Sequence, residues 1–246
     1  MNARFYAPDA HESGAEIDLP GDESQHLSRV LRLKAGDSLA VFNGSGGEFA
    51  AVVASATKTR VRVRLGDRIA AKAELTIALT LAQAVLKGDK MDAVVRDAVM
   101  LGVAAVQPIV TARSEVSLST LVRSDRHERW HRIAVSSAKQ CGRAVVPVVA
   151  PPVAFEGPSS LAHLPSPQFL LVEPGASAAS VPIAGIVATP PAAATLVIGP
   201  EGGWTALEVE QCAHHAHPLT LGSLTLRGDA AAIVAAAALL AHWRVL

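Results

Sequence analysis

The stretch TLVIGPEGGWTALEVE, residues 195–210, joins an apolar strand pattern to a helical pattern through a loop with three glycines. Glycine lets a ligand approach the backbone closely, so the N–H and C=O groups of such a loop can contact an adenine or a ribose. No Gly-Lys-Ser/Thr follows, which excludes a P-loop, and the carboxylate of Glu201 would repel a phosphate. The stretch therefore predicts a strand, loop and helix whose loop either is a tight turn or binds a neutral or cationic ligand.

Strand and helix patterns alternate on both sides of this stretch. The clearest helix is 88–102, in which the apolar residues recur at helical spacing and Gly102 is placed to end it; its apolar face is Met91, Val94, Val95, Ala98 and Val99. This alternation predicts an α/β domain with a parallel sheet covered on both faces. Its strand patterns lie at 75–82, 103–110, 144–152, 168–175, 195–199 and 217–222.

Three of these strands end in loops that are candidates to meet. They are LLVEPG, LVIGPEGG and LTLGSLTLRGD, in chain order. Ligands of open α/β sheets lie beyond the carboxyl ends of the strands, so the three loops together predict one binding site.

The first part of the chain predicts a small β-rich unit with one helix. Asn43–Gly47 lies between two apolar segments and favours a hairpin, since these residues tolerate positive φ. The run TRVRVRL places Val61, Val63 and Leu65 on one face of a strand and arginines on the other. Helical spacing of Leu27, Val30 and Leu31 predicts a helix between the earlier strands. With a linker at 67–74, we expect a small barrel over 1–71 and the α/β domain over 72–246.

Charge, cysteine content and apolar runs limit the class of partner and the cellular compartment that we expect for this protein. The net charge is zero, yet two regions are basic: residues 25–72 carry nine Lys/Arg against three Asp/Glu, and residues 111–150 carry seven against three. Residues 151–246 carry two against six. This separation of charge favours an anionic partner for the basic regions, which precede the acidic last part of the chain. Two cysteines, no apolar leader and no apolar run of ~20 residues predict a cytoplasmic protein without a membrane span. The run 230–241 is apolar all round and predicts a helix buried in the core or at a subunit contact.

Several motifs, in the same order, resemble the SPOUT class of RNA methyltransferases. The resemblance is closest to the ribosomal RNA small subunit methyltransferase E family, which methylates N3 of a uridine in 16S rRNA. LVIGPEGGW (196–204) and LGSLTLRGDAAA (221–232) match its last motifs. HLSRVLRLKAGDSLAVFNGSGGEF (26–49) is similar to its PUA-like barrel. KGDKMDAVVRDAVMLGVAAVQPIVTARSEV (87–116) and AKQCGRAVVPVV (138–149) are similar to its central segments.

The resemblance implies a trefoil knot, a homodimer, S-adenosylmethionine as cofactor and 16S rRNA or the small ribosomal subunit as partner. It places around the cofactor the residues Leu171, Val172, Glu173, Ile198, Gly199, Pro200, Glu201, Gly202, Gly203, Leu221, Gly222, Leu224 and Leu226. Trp204 is predicted to pack rather than stack on a base. No metal is expected, because His214, His215 and His217 beside Cys212 have no second ligand cluster.

Arg227 and Asp229 are the candidate catalytic residues. Arg227 would stabilise negative charge on the uracil oxygens, with a surface or phosphate-binding arginine as the alternative. Asp229 would accept the N3 proton, although Asp229 also fits a helix N-cap. Candidate RNA-binding residues come from the basic regions: Arg29, Arg32, Lys58, Arg60, Arg62, Arg64, Gln140 and Arg143. For the alternating arginines, an edge strand protected by charge is the alternative.

The last motif departs from the family pattern at two places. The family commonly has Pro-Arg where this chain has Ser223-Leu224, and Thr-Glu-Thr where it has Gly228-Asp229-Ala230. The loss of an arginine affects expected substrate contacts more than cofactor binding. Two alternatives therefore stand beside the methyltransferase: a non-enzymatic RNA-binding factor of the same fold, and an enzyme acting on another RNA position.

Overall fold

The computed structural model describes residues 3–177, 179–212 and 215–246. Its contacts divide the chain into two units, Met1–Glu74 with Val135–Val146, and Leu75–Ala134 with Pro147–Leu246. The first unit thus takes in a segment near residue 140 that the sequence analysis placed wholly in the second domain.

A five-stranded sheet in the order β1-β3-β4-β5-β2 forms the first unit. Its elements are β1 (Arg4–Tyr6), β2 (Glu16–Asp18), the short helix α1 (Gly21–Gln25) with a π-helical turn (His26–Leu31), β3 (Ser38–Phe42), β4 (Glu48–Ala56) and β5 (Val61–Arg68). The predicted hairpin is confirmed: the Asn43 side chain accepts hydrogen bonds from the N–H groups of Ser45 and Gly47, both at 2.9 Å. The predicted inward face of Val61, Val63 and Leu65 is buried.

The helix of the first unit differs from its prediction in which residues it buries. Leu27 is buried, but Val30 and Leu31 are exposed. These residues lie in a π-helical turn with i→i+5 hydrogen bonds, so a 3.6-residue period does not describe which of its side chains share a face.

Arg4 explains why a distant segment belongs to the first unit. Its guanidinium pairs with Glu48 at 2.7 Å and donates to the carbonyl oxygens of Ala138 at 3.1 Å and of Arg143 at 2.7 Å. A partly buried guanidinium needs several acceptors, and the end of this segment supplies them through carbonyl groups. The side chain of Arg143 in turn pairs with Glu74.

The second unit is built on an eight-stranded sheet whose strands pair in parallel. The order is β11-β13-β10-β12-β6-β7-β8, with β9 also paired to β7. The bounds are β6 (Ala78–Ala84), α2 (Lys90–Leu101), β7 (Ala105–Val110), α3 (Leu118–Val122), α4 (Arg126–Cys141), β8 (Val148–Val149), β9 (Val153–Ala154), β10 (Gln168–Leu171), β11 (Val181–Pro182), β12 (Ala193–Ile198), α5 (Ala206–Cys212), β13 (His217–Thr220) and α6 (Gly228–His242). The predicted α/β class and parallel sheet are confirmed.

The helices α2 and α6 pack together in the second unit. The predicted apolar face of α2 is buried, and Gly102 ends the helix at φ 101°. A Cβ at Gly102 would lie 2.8 Å from Leu75, so this position favours glycine for space as well as for φ. On α6, Ala232, Ala235 and Leu239 are fully buried, whereas Val234 is 46% exposed. Across the described ranges, the helices are too short or too polar to span a bilayer.

Candidate active site

The three predicted loops surround one cavity of about 290 Å³ in the second unit. They follow β10, β12 and β13, and the parallel register sets Leu171 beside both Ile198 and Leu219, so the three strands end at the same level. All the predicted cofactor residues except Gly202 and Gly222 line the cavity. The lining is Leu171–Pro174, Ile198–Glu201, Gly203, Trp204, Leu221, Leu224–Gly228 and Ala231.

The loop Gly199–Trp204 is fixed by contacts that leave no room for larger residues. The indole N–H of Trp204 donates to the carbonyl of Leu171 at 2.8 Å, which ties this loop to the neighbouring one. A Cβ at Gly199 would lie 3.0 Å from that indole. Gly203 has φ +67°, and a Cβ there would lie 3.1 Å from Oε1 of Glu173. The glycines are therefore needed to shape this wall of the cavity.

Trp204 packs as predicted. Its ring lies 5.3 Å from that of Phe155, centroid to centroid, and it joins an apolar cluster under the sheet.

Glu201 places a carboxylate in the cavity lining. Its Oε1 accepts hydrogen bonds from Nζ of Lys90 at 2.7 Å and from the N–H of Lys87 at 3.2 Å. Partial burial alone would raise the pKa of Glu201, but the hydrogen bonds from Lys90 and from backbone N–H groups outweigh it and lower the pKa below its ordinary value. Glu201 therefore lines the cavity as a carboxylate whose charge is paired with that of Lys90.

Arg227 and Asp229 lie at the start of α6. Arg227 lines the cavity with a side chain that is 74% exposed, and its Nε is 3.5 Å from Oδ1 of Asp229. The prediction of Asp229 as N-cap is wrong, because Arg227 is the N-cap residue and Asp229 lies in the first turn. A carboxylate in the first turn still interacts favourably with the helix dipole.

Gly228, one of the positions that depart from the family pattern, lies close to the loop after β6. A Cβ at this position would lie 3.1 Å from Cδ2 of Leu86 and 3.8 Å from Cγ of Glu201. The loop after β6 and the start of α6 therefore approach each other too closely for a threonine without movement of Leu86.

Sequence comparison identifies the family. The RNA methyltransferase domain family matches residues 73–240, and the RNA methyltransferase PUA domain family matches residues 19–69. The ribosomal RNA small subunit methyltransferase E of Synechocystis sp. is 32% identical over 231 residues, which cover 91% of this chain and 72% of that protein. The chain belongs to the ribosomal RNA small subunit methyltransferase E family.

Two further relatives match over nearly their whole length. The methyltransferase E of Rickettsia conorii is 28% identical over 95% of this chain and 93% of its own. A crystal structure of the methyltransferase E of Neisseria gonorrhoeae, bound to S-adenosyl methionine, superposes with a TM-score of 0.89 at 31% identity. The match covers 99% of this chain and 98% of that one.

The candidate RNA-binding arginines of this methyltransferase E family member are held in ion pairs. Arg60 and Arg62 both donate to Asp18, and Arg64 donates to Glu16. The hydrogen bonds from Arg60 and Arg62 lower the pKa of Asp18 to about 2. The edge-strand alternative is wrong, because β5 lies between β4 and β2 in the sheet.

The remaining RNA-binding candidates are divided between surface and interior. Lys58 and Arg60 precede β5, so they belong to the turn and not to one alternating strand, which corrects that part of the prediction. Arg29, Arg32, Lys58 and Gln140 are exposed. Arg143 is buried and paired with Glu74, so its guanidinium serves the interior of the first unit, which differs from the exposed position that an RNA contact requires.

Sequence reasoning missed several residues around the cavity. Pro174, Gly228 and Ala231 line the cavity and lie within the motifs quoted above, but the sequence analysis did not assign them to the cofactor. Lys90 and Arg113 act through contacts with residues about 90 to 110 positions away, which local patterns do not contain.

Among residues 3–177, 179–212 and 215–246, no three His, Cys, Asp or Glu side chains are grouped closely enough to hold a metal ion. His214, one of the three histidines considered above, lies outside the described residues.

Proposed function

We propose that this protein transfers a methyl group from S-adenosylmethionine to N3 of a uridine in 16S ribosomal RNA. The observation that carries the proposal is the cavity where three loops of the family's motifs meet at the ends of β10, β12 and β13. The cofactor bound to the Neisseria gonorrhoeae relative supports the same ligand here. The cytoplasm, where ribosomal RNA is modified, is the proposed compartment.

The cavity fits this cofactor in size, charge and surface. Its volume is at the lower end of the range for small-molecule sites. Apolar side chains and glycine backbone in the lining suit an adenine and a ribose. The carboxylate of Glu173 in the lining suits a cationic sulfonium, whereas the charge of Glu201 is paired with that of Lys90.

S-adenosylmethionine supplies an activated methyl group, so the protein has to align the attacking atom and exclude water. The tied loops at Leu171 and Trp204 fix the wall against which the cofactor lies. Arg227, exposed at the mouth, donates hydrogen bonds to the uracil oxygens as negative charge develops on them. Asp229 is next to Arg227 and accepts the N3 proton at a carboxylate oxygen.

The deciding experiment is to map methylated uridines in 16S rRNA with and without the gene, and then to add purified protein to the unmodified RNA. One N3-methyluridine that disappears with the gene and returns with the protein is the expected result. Methylation at another nucleotide would favour the retargeted enzyme. Cofactor binding without transfer to any RNA would favour the non-enzymatic factor.

Arg60, just before β5, and Arg62 and Arg64 within it provide a test of RNA binding by the first unit. Changing Arg60, Arg62 and Arg64 to Gln should weaken rRNA binding and flatten its salt dependence by about one log–log unit or less per lost phosphate contact. Surface ion pairs contribute only about 0–1 kcal/mol each, so a phosphate can displace Asp18 and Glu16. Salt titrations of rRNA affinity provide the measurement.

The matched variant removes the competing carboxylates. Asp18→Asn with Glu16→Gln frees the same arginines and should tighten rRNA binding. Wild-type affinity and salt slope in both variants would exclude these three arginines from the RNA contact. The affinity for S-adenosylmethionine should not change in either, since the cavity residues are all in the second unit.

The homodimer is proposed to use α6. The buried side of this helix already fills the core, while Val234 remains half-exposed on an apolar helix. Val234→Glu should therefore convert a dimer to a folded monomer, because a charge at a subunit contact is desolvated without a partner. Light scattering after size exclusion measures the mass, and Val30→Glu, at an exposed valine of the first unit, is the control. A dimeric Val234→Glu variant would contradict the use of this face.

A further inference from the structure

We propose that Arg113 is a positioning residue that holds the loop Gly199–Trp204 in the shape that binds the cofactor. The inference rests on the proposed function and adds a residue outside the family motifs that line the cavity. Arg113 lies in the loop after β7, and none of the residues at 111–117 line the cavity.

One nitrogen of Arg113 bridges two carbonyl groups of the loop Gly199–Trp204, called the cofactor loop below. Its Nη1 donates to the carbonyl oxygen of Gly202 at 2.9 Å and to that of Trp204 at 3.1 Å. These two residues flank Gly203, whose φ of +67° turns the chain sharply. The guanidinium therefore draws the carbonyls on either side of the turn toward one point, and hydrogen bonds from a charged donor are the stronger ones.

The aliphatic part of Arg113 is packed against the same loop. A Cβ at Gly202 would lie 3.2 Å from Cβ of Arg113 and 3.4 Å from its carbonyl oxygen. Gly202 does not line the cavity, so its lack of a side chain serves this contact and not the ligand. This explains why the motif has glycine at two successive positions: Gly203 for the turn at the cavity wall and Gly202 for the approach of Arg113.

A second contact fixes the backbone on which Arg113 is mounted. Glu208 on α5 accepts hydrogen bonds from the N–H of Ala112 at 3.0 Å and from the N–H of Thr205 at 2.7 Å. Its two oxygens thus join the loop after β7 to the end of the cofactor loop. Glu208 is buried, so the two loops are connected through the interior as well as through Arg113.

The geometry assigns two separate effects to Arg113. Loss of its bridge should leave the fold intact, since the side chain is at the surface, but should let residues 202–204 sample other conformations. Only molecules whose loop has the binding conformation can then bind the cofactor. The observed affinity therefore falls in proportion to the fraction of molecules in that conformation. We expect Arg113→Ala to weaken S-adenosylmethionine binding about tenfold, the effect of one charged hydrogen bond near solvent.

Calorimetry of cofactor binding, with hydrogen exchange of residues 199–205 in the cofactor-free protein, provides the test. Arg113→Ala should raise the Kd about tenfold and speed exchange in this loop, with a melting temperature close to that of the wild type. Arg113→Lys retains a donor and should restore part of the affinity. Arg123→Ala is the control, because Arg123 is an exposed arginine near the same chain segment. In activity assays, KM for the cofactor should rise while kcat at saturating cofactor changes little.

The outcomes separate this inference from the function on which it rests. A wild-type protein that binds no S-adenosylmethionine would refute the proposed function. A wild-type protein that binds it, with an Arg113→Ala variant of equal affinity and equal loop exchange, would refute the inference alone. A fall in kcat with unchanged KM and Kd would also overturn it, because Arg113 would then act on methyl transfer and not on the cofactor loop.

Discussion

Gly203→Val should reduce the affinity for S-adenosylmethionine by roughly two orders of magnitude. The left-handed backbone at φ +67° costs a non-glycine residue about 1–2 kcal/mol, and a β-branched side chain is among the least tolerant. In the free protein the loop can relax away from this conformation, so binding has to restore the strain. Loss of one or two backbone hydrogen bonds to the ligand adds about 1 kcal/mol each, and the total of about 3 kcal/mol corresponds to roughly 100-fold.

The valine would also enter space that Glu173 occupies. A Cβ at Gly203 lies 3.1 Å from a carboxylate oxygen of that residue, which itself lines the cavity. Calorimetric titration with S-adenosylmethionine measures the loss. Gly14→Val is the matched control, since Gly14 has φ +85° with nothing within 4 Å of its Cβ position and belongs to the first unit. It should lower the melting temperature and leave the affinity unchanged. Equal affinity in wild type and Gly203→Val would remove this loop from the cofactor site.

Arg227→Ala should lower kcat for methyl transfer by about 10²–10³, the usual effect of removing one donor to a developing oxyanion. Cofactor affinity should change little, because the exposed guanidinium is proposed to meet the uracil and not the cofactor. Arg227→Lys retains the positive charge but not the planar guanidinium, so its kcat should lie between those of the wild type and Arg227→Ala.

Single-turnover rates on unmodified 16S rRNA at saturating cofactor measure this effect. The control is Arg244→Ala, an exposed arginine just after the end of α6. A wild-type rate in Arg227→Ala would show that Arg227 does not act in the transfer step. A reduced RNA affinity with an unchanged rate would instead make it a phosphate contact.

The loops that line the site could be predicted from the sequence, but the residues that hold those loops in place could not. Strand and helix alternation fixes where the carboxyl ends of parallel strands lie, so the meeting of the loops after Leu171, Ile198 and Thr220 follows from local patterns. Lys90 and Arg113 could not be found in this way, because each reaches a loop that is distant in sequence. The orientation of their side chains depends on the finished sheet and not on their neighbours.

The errors in the first unit have a similar origin. The exposed Val30 and Leu31 lie in a π-helical turn, which apolar spacing does not reveal. The ion pairs of Arg62 and Arg64 depend on the pairing of β5 with β2, two strands more than forty residues apart in sequence. A single sequence shows that charges alternate, but it does not show which strand lies beside them.

The contacts of Arg4 constrain the order in which the chain can acquire structure during synthesis. Its carbonyl partners at Ala138 and Arg143 leave the ribosome long after β1 to β5 have been made. At a synthesis rate of about 5–20 residues per second, these carbonyl groups are made several seconds after β5. Until then, the guanidinium of Arg4 has Glu48 as an acceptor but not these carbonyl groups. A fragment cut at the linker would remain in that incomplete state permanently, so separate expression of the first unit requires the segment near residue 140 to be joined to it.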